Sequence, residues 1–401
     1  MHPEMTLVML FTAAMAVAIA TRRLKVPYTV ALVIAGLGLG ATHLVEGIHL
    51  TKDLLYAVFL PGLVFEAAYH LKFADFRANA GAILALAIPG VLATIGATAT
   101  LLVTSSSIAA FAPGFGWAHA SVFAALIAAT DPIAVVALFK TLGAPRRLGV
   151  LIEGESLVND GTAIVLFSIV YAAVTGGGTS LVGAAGEFVE VAGGGLALGV
   201  ATGLAASHVI KRIDDPMIEI SLTMILAYGS FAVAEECHVS GVIATVTAGM
   251  VCGSFAAPRA MSPMTRVAVE AFWEYLVFAL NSLVFLLIGL EVQVARLVAE
   301  WRGIVVAFLA VIAGRAVVVA LASALLRPTR EALPWRWSLM LTWGGLRGAL
   351  SMVLALALPA TFAHREILVT MTFGVVLLSI IVQGMTAGPL LRALGLVRPG
   401  S

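Results

Sequence analysis

Two short acidic stretches stand in a chain that otherwise avoids charge: ATDPIAV, with Thr130, Asp131 and Pro132, and GESLVNDG, with Glu155, Ser156, Asn159 and Asp160. At helical spacing Ser156 and Asp160 share one face, and Glu155 and Asn159 share a neighbouring one. A Ser156 hydroxyl and an Asp160 carboxylate can therefore line one cavity, while Glu155 points towards another helix. Glu155 needs a cation there, and Arg315 or Arg347 can supply it. Asp131 and Asp160 have no obvious fixed partner and read as the working carboxylates. Pro132 removes a backbone donor and disfavours helix at Asp131, which frees backbone carbonyls beside them. Two carboxylates, a hydroxyl and free carbonyls make an all-oxygen anionic site, suited to a hard cation rather than a soft metal. No His or Cys cluster stands at zinc-ligand spacing.

The elements that hold these groups follow from composition. The chain has 401 residues, 61% of them hydrophobic and 11% charged, whereas an ordinary soluble domain has about 25% charged residues. Apolar runs recur from end to end, and about 20 such residues cross a bilayer as a helix. The reading is an all-α polytopic membrane protein with no stretch polar or long enough for a soluble domain. The N-terminal MHPEMTLVML lacks the basic start of a secretory signal and reads as the first span. Cys237 and Cys252 read as packed or free thiols, and nothing points to nucleic acid.

Apolar blocks set against charged or Gly/Pro-rich breaks predict about thirteen spans, roughly at 5–21, 26–42, 53–70, 80–104, 119–140, 147–172, 187–210, 217–235, 240–256, 268–290, 303–326, 336–358 and 366–392. Lys and Arg gather in cytoplasmic loops of membrane proteins. After odd-numbered spans and at the C-terminal end stand Arg22, Arg23, Lys25, Lys72, Arg77, Lys140, Arg146, Arg147, Lys211, Arg212, Arg259, Arg266, Arg327, Arg330, Arg336, Arg392 and Arg398; after even-numbered spans stand only Lys52, Arg296, Arg302 and Arg365. The alternation puts the N-terminus outside and the C-terminus in the cytoplasm.

Thirteen spans also permit two inverted six-helix repeats, about 5–172 and 217–392, joined by a linking helix at about 187–210. Such repeats are common in secondary transporters, whose sites lie near the midplane where helices are broken. The match is positional: the fifth span carries ATDPIAV, and its partner, the twelfth, carries TWGGLRGAL, where Gly344, Gly345 and Gly348 weaken the helix. At 1.5 Å per residue, Asp131 lies about 14 Å and Asp160 about 20 Å from the cytoplasmic ends of their spans. Both depths fall near the centre of a hydrocarbon core of about 30 Å. An ionisable group there costs about 2.5–3.5 kcal/mol on insertion scales and is a functional candidate by default. Glu66, in LPGLVFEAAYHL on the third span, is a shallower case.

Burial favours the neutral form of a carboxyl, so protons compete with a cation for such a site. A site that holds either one, but not both, exchanges them when it opens alternately to two sides, and that is antiport. Two rivals use the same residues. An intramembrane aspartyl protease also needs two buried aspartates, but leaves Glu155, Asn159 and the arginines unexplained. A cation channel is usually built around a symmetric pore with filter loops, not around one buried site in a repeated chain. Among weaker features, Gly195, Gly199 and Gly203 form a small-residue stripe that reads as close helix packing. His43, His49, His70, His119, His208, His238 and His364 sit near predicted span ends, where a polar tip is hydrated.

ATDPIAVVALFK followed by GESLVNDGTAIVLF resembles the TDP and ND signatures of NhaP-type cation/proton antiporters, prokaryotic relatives of the animal sodium/proton exchangers. LPGLVFEAAYHL, FWEYLVFALNSLVFLLIGL, VIAGRAVVV, TWGGLRGAL and VQGMT fit the same family in the same order, so the resemblance spans essentially the whole chain. It implies a thirteen-helix homodimer in the cell's inner membrane, with the fifth and twelfth helices crossing at unwound segments. Carried onto this sequence, it makes Asp160 the principal ion and proton carboxylate, with Asp131, the Thr130 carbonyl and Ser156 completing an Na+ (or K+ or Li+) site and Glu66 assisting through water. It implies that Asn159 steadies the cavity, that Glu155 pairs with Arg315, and that Arg347 either stabilises the broken helix or shapes the field. It further implies electroneutral exchange, since relatives with a second Asp in place of Asn159 tend to be electrogenic. The partners expected are the alkali cation, the proton and membrane lipid, with no cofactor.

Overall fold

A computed structural model of the chain describes residues 3–24, 27–41, 51–106, 114–176 and 180–397, and Lys25, His43, His49 and Arg398 lie outside them. Every regular element among the described residues is a helix, as a chain in hydrocarbon requires, because each backbone donor must find its acceptor within the segment. The helices are α1 (Pro3–Leu24), α2 (Tyr28–Ala41), α3 (52–70), α4 (Ala80–Thr104), α5 (Trp117–Leu126), α6 (Ile133–Leu142), α7 (Arg146–Val174), α8 (Leu181–Ile210), α9 (Pro216–Glu236), α10 (Gly241–Ala260), α11 (Pro263–Glu291), α12 (Trp301–Leu326), α13 (Trp335–Trp343), α14 (Ala349–Leu356) and α15 (Arg365–Ala393). Short helices at Phe73–Ala78 and Val294–Ala299 lie between spans. Eight of these helices are long and apolar enough to cross a membrane unaided.

The spans differ from the sequence reading where backbone chemistry intervenes. The stretch expected at 119–140 is two helices, α5 and α6, separated by non-helical backbone at 127–132, and that expected at 336–358 is α13 and α14, separated at 344–348. Pro132, which has no amide to donate, stands at the N-cap of α6 in the first, and three glycines weaken the second. Wider π turns interrupt α3 at Leu55–Phe59, α10 at Cys252–Ala256 and α15 at Ser379–Gln383. The α8 helix begins at Leu181, ahead of the expected 187, because Ser180 caps it by accepting from the Gly183 amide at 3.1 Å.

Close packing relies on small residues, as it must where lipid removes the hydrophobic drive for helix association. The stripe of Gly195, Gly199 and Gly203 lies against α10, and a Cβ at Gly199 would strike the Ala244 carbonyl and Thr247. Gly36 of α2 and Gly289 of α11 similarly bring those two backbones together. The connections sort to two ends of the bundle. At one end Arg146 pairs with Asp75, Arg147 donates to Asn79 at 2.7 Å and lies over Trp337, and Arg336 donates to the Leu394 carbonyl at 3.2 Å. At that end Glu331 also accepts from the Gly81 and Ala82 amides at the start of α4. These loops are the Lys- and Arg-rich ones, so the alternation read along the sequence becomes a basic end in space. At the opposite end Arg296 faces Glu366 at 3.5 Å, and His119 packs edge-on against His364, 4.6 Å between ring centres.

Candidate functional site

The two breaks meet. The Asp131 amide donates to the Leu346 carbonyl at 2.7 Å, which ties the non-helical backbone of one interrupted span to that of the other. Non-helical backbone inside an apolar bundle leaves polar groups that need partners, and side chains from α7 and α15 supply them. Ser156 donates to the Thr130 carbonyl at 2.5 Å. The Asn159 amide donates to the Thr130 hydroxyl at 2.9 Å and to the Ala128 carbonyl at 3.2 Å. The guanidinium of Arg347 reaches back across the crossing to the Ala128 and Ala129 carbonyls, at 2.7 and 3.1 Å. These contacts satisfy carbonyls that the interrupted helix leaves free.

The second break is satisfied by the π turn of α15. Ser379 accepts from the Arg347 amide at 3.0 Å and donates to the Gln383 side-chain oxygen at 2.5 Å. The Gln383 amide in turn donates to the Trp343 carbonyl at 3.0 Å. One helical turn away, Arg315 makes a bidentate pair with Glu155 at 2.9 and 2.7 Å and donates to the Leu341 carbonyl at 3.1 and 2.9 Å. Glu155 is 2% exposed, and this largely buried pair fastens α7 and α12 to the last turn of α13.

What remains is a cavity of about 110 Å³ beside the crossing, lined by Thr130, Asp131, Pro132, Ser156 and Asp160 among apolar side chains. That is room for several waters, or for an ion with part of its water shell. One Asp131 oxygen accepts from the Ile133 amide at 3.1 Å and so fixes the carboxylate at the start of α6. Gly348 lies against it, and a Cβ there would strike the Asp131 carboxylate. Among the described residues, neither Asp131 nor Asp160 forms a salt bridge. Their negative charge is left to whatever occupies the cavity.

Thr130, Asp131, Pro132, Ser156 and Asp160 thus come together, with Asn159 and Arg347 directly behind them and Glu155–Arg315 a turn further off. Glu66 is placed otherwise: it lies outside that lining and contacts His70 at 3.1 Å. His70, expected as a hydrated tip, is exposed and also contacts Glu66. Three residues escaped the sequence reading. Glu153 also lines the cavity, and its spacing of three from Ser156 and seven from Asp160 marks the same helical face. Ser379 and Gln383, four apart in a strongly apolar helix, carried the same kind of signal.

An all-helical apolar bundle, in which two interrupted helices cross beside partly buried carboxylates, is an architecture of secondary transporters. The chain belongs to the sodium/hydrogen exchanger family: the family described as "Sodium/hydrogen exchanger, transmembrane" matches residues 8–393. The chain is 37% identical over 375 residues to the Na(+)/H(+) antiporter ApNhaP of Aphanothece halophytica, which covers 93% of this chain and 70% of that protein. It is 36% identical over 407 residues to the Na(+)/H(+) antiporter NhaH of Halobacillus dabanensis, covering 98% of each. Its fold is similar to that of the sodium proton antiporter MjNhaP1 from Methanocaldococcus jannaschii, with a TM-score of 0.77 at 19% identity over 98% of this chain and 100% of that one.

Proposed function

We propose that the chain exchanges a monovalent cation, Na+ before K+ or Li+, for protons across the cell's inner membrane by alternating access. The observation that carries this reading is the shared cavity of Asp131 and Asp160, walled by the Ser156 hydroxyl and the Thr130 segment and free of any fixed counter-charge among the described residues. With both carboxylates ionised, a dehydrated cation is the natural counter-charge; with the cation gone, protons take its place. Because one site serves both, neither ion crosses without the other. The names of the relatives favour Na+, and Asn159 in place of a second aspartate favours electroneutral exchange. The crossing of the two breaks supports pairing residues 5–172 with 217–392 as inverted repeats around α8. On this reading the basic end faces the cytoplasm, the N-terminus lies outside, and two copies associate within the lipid.

Purified protein in liposomes with an internal pH dye, the potential clamped at zero, tests this. A cation gradient should drive protons the other way, with Na+ at least as effective as K+ or Li+, and Asp160→Asn should abolish the movement. No cation-driven proton movement with any alkali ion would refute antiport.

A further inference from the structure

We infer that Glu153 is a second ion-handling carboxylate, which receives the cation between the basic end of the bundle and the Asp131–Asp160 site. The inference rests on the antiport reading above. A second cavity, of about 280 Å³, lies at the basic end and is lined by His70, Lys72, Asp75, Lys140 and Arg146. Glu153 is the residue that lines both this vestibule and the site cavity. Gly149, Glu153, Ser156 and Asp160 follow one another at four, three and four residues along α7, so they form a single stripe on one face. The stripe leads from the vestibule, past Glu153, to the site.

Charge explains why a carboxylate belongs at that neck. Lys72, Lys140 and Arg146 make the vestibule wall basic, which repels the ion it must admit. Asp75 is taken up by Arg146, and Glu66 nearby by His70. Glu153 is thus the vestibule carboxylate that, among the described residues, no salt bridge holds. The charged groups acting on it are Lys140 from α6 and Glu66 and His70 from α3. A negative charge at the neck of a basic, low-dielectric funnel raises the local cation concentration and offers a place to shed water before the deeper site. From the other side of the membrane the ion would reach Asp160 without passing Glu153, so the effect is one-sided.

Membrane vesicles of both orientations provide the test, with cation-driven proton flux measured against Na+ concentration. In everted vesicles, which present the cytoplasmic face, Glu153→Gln should raise the half-saturating Na+ concentration about fivefold, the effect of one partly screened charge. In right-side-out vesicles it should stay within about twofold of the unsubstituted chain. Glu153→Asp keeps the charge and should restore the everted value. An unchanged value at the cytoplasmic face, an equal rise at both faces, or no recovery in Glu153→Asp would overturn the inference. Absence of exchange in the unsubstituted chain would instead overturn antiport itself, and this inference with it.

Discussion

The buried acidic side chains of α7 divide their work according to what stands opposite each. Glu155 meets a guanidinium that also bonds a backbone carbonyl, so removing its charge strands a buried arginine. Such a break costs about 3–5 kcal/mol. Glu155→Gln should therefore lower the melting temperature of the detergent-solubilised protein by many degrees. Replacing both partners by apolar residues of similar size should recover much of the loss. Asp160 has no such partner, and Asp160→Asn should abolish exchange while leaving the melting temperature equal or higher. If Asp160→Asn unfolds the protein instead, the division of labour is wrong. The spacing in GESLVNDG separated these two faces at the outset. It did not decide between Arg315 and Arg347 as the partner of Glu155, because that depends on where α12 and the second break lie in space. Arg347 goes to carbonyls, and only the crossing shows that those carbonyls are there to receive it.

At the scale of elements, the interruptions of two spans make the site, and the helices behind them keep those interruptions from costing the fold its stability. Gly348→Ala places a methyl group against the Asp131 carboxylate and should reduce exchange at least tenfold. Ser379→Ala leaves the Arg347 amide without its acceptor and should cost about 1–3 kcal/mol, read as a lower melting temperature. Pro132 and the glycine cluster told from sequence alone where helix would fail. The residues that satisfy the freed groups were not legible, since a serine and a glutamine in an apolar helix announce burial but not their partners. The π turn that aims Ser379 and Gln383 leaves no mark in hydrophobic periodicity. Glu66 and His70, four apart on one helix, meet by spacing alone.

At the scale of the whole molecule, the loops that carry Arg146, Arg147 and Arg336 meet at one end of the bundle, and the proposed orientation turns that end inward. Cys237, exposed just beyond α9, then faces outward, while Cys252 is buried. A membrane-impermeant maleimide should label Cys237 in intact cells and not when added outside everted vesicles, and the reverse pattern would invert the topology. The central claim is that one site holds either a cation or protons. Its most direct test is to add Na+ to purified protein in weakly buffered detergent solution and follow a pH indicator. The account predicts proton release that saturates with Na+ and vanishes in Asp160→Asn. Na+ binding without proton release, or release that persists in Asp160→Asn, would contradict it.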